Sequence, residues 1–134
     1  MNLESLEDLQ GYVYLATPYS RYPAGKVEAH RMACVLAGSL IKAKIPTFCP
    51  IAHSHAIAQI AGIDPDSHEI WLPADQFFID GAYGIVVALM RGWQESTGVQ
   101  YEIAEFKKAH KPIFYLDPEM GVISPADVSW AYIR

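Results

Sequence analysis

Ser96 and Glu102 stand six residues apart, with Thr97 and Gly98 between them, shortly after the apolar run Gly84–Met90. That run predicts a buried strand, and the pattern from Gly98 onward predicts a helix carrying Glu102 in its first or second turn. A loop that leaves a strand and opens a helix brings a hydroxyl, unpaired backbone amides and a carboxylate to one crevice. Amides and hydroxyls at a helix start suit an anion, and a carboxylate beside them can meet developing positive charge or attack as a nucleophile. Each residue also has a plainer role by type alone: Ser96 or Thr97 as the N-cap, Glu102 as a complement to the helix dipole. Glu105, three residues before Lys108, reads as a solvated ion-pair residue.

Other residues that could join that crevice follow the ends of predicted strands. Tyr14, Thr17, Pro18, Tyr19, Ser20 and Arg21 belong to the first strand and the loop after it. A tyrosine there can orient the glutamate, and an arginine fork suits phosphate oxygens; Tyr14 could equally be core packing. Asp75 and Asp80 compete for the part of a second carboxylate that protonates a leaving group, Asp80 having a surface or C-cap role as its alternative. His53 and His55 invite a metal reading, but no Cys or carboxylate lies at supporting spacing, His68-Glu69 being the one pair left open, and contact with a substrate is the better functional reading. Trp71 and Trp93 could stack on an aromatic ligand, although Trp71 could simply anchor its helix. No metal or cofactor is expected.

The elements that must position these groups alternate. Strands are expected over 12–17, 45–50, 84–90 and 111–116, and helices over 24–44, a short piece at 56–61, 68–79 and 98–110. Pro73 could delay the third of these helices to Leu72. The stretch 117–134 adds a short edge strand or packs as a tail. This alternation implies an α/β fold with a parallel sheet of four to five strands and helices on both faces. The first helix is expected to bury Val27, Met32, Val35, Leu36, Leu40 and Ile41.

A chain of 134 residues with 51% hydrophobic content fits a single domain, with residues 1–10 as an acidic N-terminal extension. The net charge of −5 and the absence of a basic cluster argue against a nucleic-acid polymer as partner. No apolar stretch approaches the roughly 18 residues a membrane span requires. Cys34 and Cys49, the two cysteines, read as free thiols in a reducing cytoplasm.

Gly92-Trp93, Ser96, Gly98 and Glu102 form the pattern G-W-x-x-S-x-G-x-x-x-E, and Tyr12-Val13-Tyr14-Leu15-Ala16-Thr17-Pro18-Tyr19-Ser20 precedes it in the matching order. Together they resemble the nucleoside 2-deoxyribosyltransferase-like superfamily over about Tyr12 to Leu116. The resemblance implies a three-layer, flavodoxin-like (Rossmann-like) strand order. It implies that Glu102 is a nucleophile on the sugar C1′ of an N-glycoside, that Asp75 assists departure of the base, and that Tyr14 belongs with them. Thr17, Pro18, Tyr19, Arg21, His53, His55, Trp93, Ser96, Thr97 and Gly98 are the expected substrate contacts. Members acting on free nucleosides often carry an aspartate where Ser96 stands. The serine sides with the nucleotide N-glycoside hydrolase branch, where it helps to receive the 5′-phosphate. The expectation is therefore N-glycosidic cleavage in a nucleoside 5′-monophosphate or related nucleotide, with a deoxyribosyltransferase or a non-catalytic nucleotide sensor as alternatives. Relatives associate, so a homo-oligomer (dimer or tetramer) is expected.

Overall fold

Short β-branched and aromatic runs, each ended by glycine or proline, build one sheet, and the longer segments between them coil into helices. The computed structural model describes residues 11–119 and 121–123; the extension expected at 1–10 and the tail at 124–134 lie outside the described residues. Strands β1 (Val13–Ala16), β2 (Thr47–Phe48), β3 (Gly84–Ala88) and β4 (Ile113–Asp117) are parallel. A short β5 (Gly121–Ile123) adds to the β4 edge antiparallel, so the sheet is not parallel throughout. The order is β2-β1-β3-β4-β5, the flavodoxin-like order that the resemblance implied. Its switch point, where ligands bind in such sheets, falls between β1 and β3.

Helices α1 (Lys26–Lys42), α2 (Pro50–Ala61), α3 (His68–Gly81) and α4 (Thr97–Lys108) connect the parallel strands. The period of two along each strand divides the core in half. Val13, Leu15, Val86, Ala88, Phe114 and Leu116 pack with Ala33, Leu36, Ala37 and Leu40 of α1 on one face. Tyr14, Ala16, Ile85 and Val87 pack with Ile79 of α3 and with Val99, Ile103 and Phe106 of α4 on the other. The result is a three-layer α/β fold. Among the described residues no helix is long and apolar enough to cross a membrane.

Three elements differ from expectation for identifiable reasons. The buried face of α1 is Ala29, Ala33, Leu36, Ala37 and Leu40, while Val27, Val35 and Ile41 are exposed. Small residues let the helix approach the sheet closely, and that face lies to one side of the larger apolar side chains. Helix α2 begins at Pro50 rather than at 56, because proline is favoured in the first turn, where its missing N–H costs nothing. Helix α3 runs from His68 through Pro73 without a break. Pro73 and Glu69, four residues before it, are both exposed, so the carbonyl left without a partner is open to water.

The β3–β4 pairing requires a glycine at its start. A Cβ on Gly84 would lie 2.7 Å from the Pro112 carbonyl oxygen, which also accepts the Ile85 N–H at 3.0 Å. Gly84→Ala is expected to destabilise the protein by about 1–3 kcal/mol, read as a lower urea midpoint; an unchanged midpoint would contradict this account of the strand.

Candidate functional site

The carboxyl ends of β1 and β3 and the starts of α2, α3 and α4 surround one cavity of about 520 Å³, within the size range of small-molecule sites. Tyr14, Thr17, Tyr19 and Arg21 line it from β1 and its loop, Asp75 from α3, and Ser96, Thr97, Gly98 and Glu102 from α4. Nine of the expected site residues thus meet at the switch point of the sheet.

Tyr14 reaches this cavity because strand alternation turns it to the α3/α4 face, between Phe48 and Phe106. Its hydroxyl donates a short hydrogen bond to Glu102 Oε2. Burial and the nearby carboxylate push the Tyr14 hydroxyl far above the usual phenol range, so it remains a donor. Burial likewise raises the Glu102 carboxyl to about 8; Asp75 adds to the rise and the Tyr14 hydrogen bond opposes it. Asp75 is itself raised to about 6, mainly by burial, with His53 working the other way. Both acids are thus weaker than usual, Glu102 more so than Asp75, and the charge of Asp75 contributes to the rise at Glu102.

Helix starts form one side of the cavity. Ser96 is the N-cap of α4 and its Oγ accepts the Val99 N–H at 3.3 Å, which leaves the hydroxyl hydrogen free to donate. Capping therefore does not use up the Ser96 hydroxyl. Beyond Gly98 nothing stands within 4 Å of where a Cβ would project. Gly92, earlier in the same motif, has φ of 85°, a left-handed conformation that favours glycine. Arg21 sits exposed at the rim. Thr17 Oγ1 is buried without an oxygen or nitrogen partner, although it lies close enough to ease the Cys49 thiol, which burial pushes up to about 12.

Four expected contacts do not line the cavity. Pro18 is fully buried behind its wall. Trp93 is 5% exposed and packs edge-on against Tyr115 in the core under α4, its ring centroid 5.8 Å away. His53 and His55 lie on α2, not on a loop, and two residues along a helix diverge. His53 leans on Phe48 and Phe78. His55 is buried, stacks on His30 and joins its Nδ1 to the Tyr19 hydroxyl at 2.7 Å, so it supports a wall residue from behind. Asp80 likewise faces away from the cavity and accepts from Gln76 Nε2 at 2.9 Å. Glu105 pairs with Lys108 at 3.1 Å, as its spacing suggested.

The cavity also includes residues that were not among the expected substrate contacts, among them Ser54, Asp66, Ser67, His68 and Tyr101. Asp66 accepts from Ser20 Oγ at 2.6 Å and from Lys26 Nζ at 2.5 Å, tying the loop after β1 to the loop before α3. The signal for Ser67 and His68 was available: they open a helix on the same side of the sheet as Ser96. Trp71, considered for stacking, does line the cavity, with its Nε1 fixed on the Asp64 carbonyl at 2.9 Å.

This arrangement belongs to a chain in the family described as a domain of unknown function, DUF1937, which matches residues 11–117. No curated protein matches the chain.

The raised acids carry a cost to stability with a defined sign. Between the ordinary glutamate value of 4.5 and about 8, the native protein holds a proton on Glu102 that the unfolded chain has lost. Stability contributed by that proton is present at low pH and is lost as pH rises through about 8. Glu102→Gln, which keeps an acceptor for Tyr14 but cannot ionise, is therefore expected to unfold at a higher urea concentration than wild type at pH 9. The advantage should shrink toward pH 5. A difference independent of pH would contradict the burial of this carboxyl.

Proposed function

We propose that the protein cleaves the N-glycosidic bond of a nucleoside 5′-monophosphate or a related nucleotide, and that it is a small member of the nucleoside 2-deoxyribosyltransferase-like superfamily. The observation that carries this reading is the Tyr14–Glu102 hydrogen bond in a cavity that also holds Asp75. Glu102 attacks C1′ as the bond to the base breaks and the electron pair leaves with the base nitrogen. The proton of the acid pair goes to that nitrogen by way of Asp75. Water then attacks C1′ of the glycosyl ester, Asp75 takes a proton from it, and Glu102 is released as a carboxylate. The products are the free base and the sugar 5-phosphate.

In the resting pair Glu102 is the more basic acid, so attack needs the shared proton to leave it. The hydrogen bond donated by Tyr14 favours the ionised glutamate, and positive charge growing at C1′ pulls the same way. Ser96, Thr97 and Gly98 at the start of α4, with Arg21 at the rim, receive the phosphate. Trp71 offers an aromatic face to the base. The reaction uses carboxyl groups alone and calls for no metal.

A second reading rests on the same raised carboxyl. A glutamate that keeps its proton near neutral pH is also a hydrogen-bond donor, which suits a nucleotide sensor without turnover.

Incubation with a panel of ribo- and deoxyribonucleoside monophosphates, following free base by chromatography, tests the proposal. Wild type is expected to release base from at least one of them. Glu102→Ala should release none, and Asp75→Asn should be slower by about 10²–10⁴-fold. Activity needs the singly protonated pair, so the pH profile of kcat/KM should be a bell whose limbs lie near 6 and 8. Adding a different free base to the mixture distinguishes transfer from hydrolysis. No release from any nucleotide, with wild type and Glu102→Ala alike, removes the catalytic reading. Tight nucleotide binding that survives Glu102→Gln then favours the sensor.

A further inference from the structure

Asp75 and Glu102 come from different helices, and the helix bearing Asp75 is weakly held. Ile79 is the one buried residue of α3, and α3 meets α4 over a short stretch. Its C-terminal end is fastened by several contacts. Tyr12 donates to the Phe78 carbonyl at 2.7 Å, Lys111 donates to the Asp80 carbonyl at 2.6 Å, and Phe78 stacks on Phe48 with centroids 3.9 Å apart. Near its start, Trp71 donates to Asp64 at 2.9 Å. Between these ends, at the level of Asp75, the tie to α4 is made by Gln76.

Gln76 uses both ends of its amide there. Its Oε1 accepts from the Tyr101 hydroxyl at 2.8 Å. Its Nε2 donates to Asp80 Oδ1 at 2.9 Å and to Glu105 Oε1 at 3.2 Å. The opposite amide orientation would turn its oxygen toward two carboxylates, so the orientation is set by its surroundings. Gln76 follows Asp75 directly on α3, and Tyr101 precedes Glu102 directly on α4. We propose that Gln76 and Tyr101 are positioning residues whose hydrogen bond sets how the two acids face each other across the cavity. The inference rests on the glycosidase reading for its catalytic consequence, but not for its geometry.

The bridge acts on the pair through distance and solvent. With it intact, Asp75 stays in the cavity wall near Glu102 and both carboxyls remain poorly hydrated. Without it, the middle of α3 is free to lean toward solvent, where Asp75 hydrates and its field on Glu102 weakens. Gln76 does not line the cavity, so changing it alters the frame and leaves the walls in place.

The test is a ¹³C NMR titration of the Asp75 and Glu102 side-chain carboxyls in wild type, Gln76→Met and Tyr101→Phe, with base release followed on the same samples. Both titration midpoints are expected to fall in each variant, by roughly half a unit or more. Base release should lose about tenfold to a hundredfold in kcat in both, with KM little changed in Gln76→Met, whose side chain is outside the cavity wall. A purely structural bridge would lower the urea midpoint and leave the carboxyl titrations where they were; that result overturns the proposal. The titrations decide this even if wild type releases no base, an outcome that would count against the glycosidase reading alone.

Discussion

A side-chain hydrogen bond joins the sheet of this protein to a helix of an outer layer: the phenol of Tyr14, on the central strand β1, donates to the carboxyl of Glu102 on α4. It ties a residue whose direction is fixed by the sheet pleat to one whose direction is fixed by a helix start. Neither can shift without breaking the pairing of β1 with β3 or the packing of Val99, Ile103 and Phe106. The carboxyl is thereby kept in a place where water is scarce, and the cost of that placement is visible in its raised pKa. Native proteins tolerate such a cost at few positions, and here it coincides with the switch point of the sheet.

The rest of the cavity follows from strand order. Because β1 and β3 are neighbours while the chain leaves them toward opposite edges, the loops after them separate and open a crevice. Three helices, α2, α3 and α4, start at its edge, and a helix start leaves backbone amides without intrahelical partners. Asp75 and Glu102 line the same cavity. The proposed nucleotide, with an anionic end and a centre that becomes positive during reaction, meets both the helix starts and the two acids.

Much of this was legible in the residues. The continuous apolar run before Met90 reads as a strand buried on both faces, and the Ser96 cap with its following periodicity located α4 to within about two residues. Once strand ends were placed, Tyr14, Thr17, Tyr19, Arg21 and the Ser96 loop fell on one side of the sheet. What local pattern does not carry is the facing of a helix. The alanine face of α1 was hidden among larger apolar neighbours, because burial depends on which side meets the sheet and not on side-chain size. A strand expected to 50 and a helix expected only from 56 leave His53 and His55 on a loop, where they could converge; the helix in fact begins at Pro50. Trp93 shared a motif with the site yet belongs to the core, since the turn at Gly92 folds it beneath α4. Motif membership marked the loop without saying which of its side chains face inward.

Gly98 is the one point on the cavity wall where the backbone itself is the surface. Open space lies beyond its Cα, and no left-handed torsion requires glycine there. A larger side chain at that position would project into the chamber and shorten it while leaving the sheet and the Ser96 cap undisturbed. The reach of the cavity is therefore set at a single residue, independently of the demands of folding.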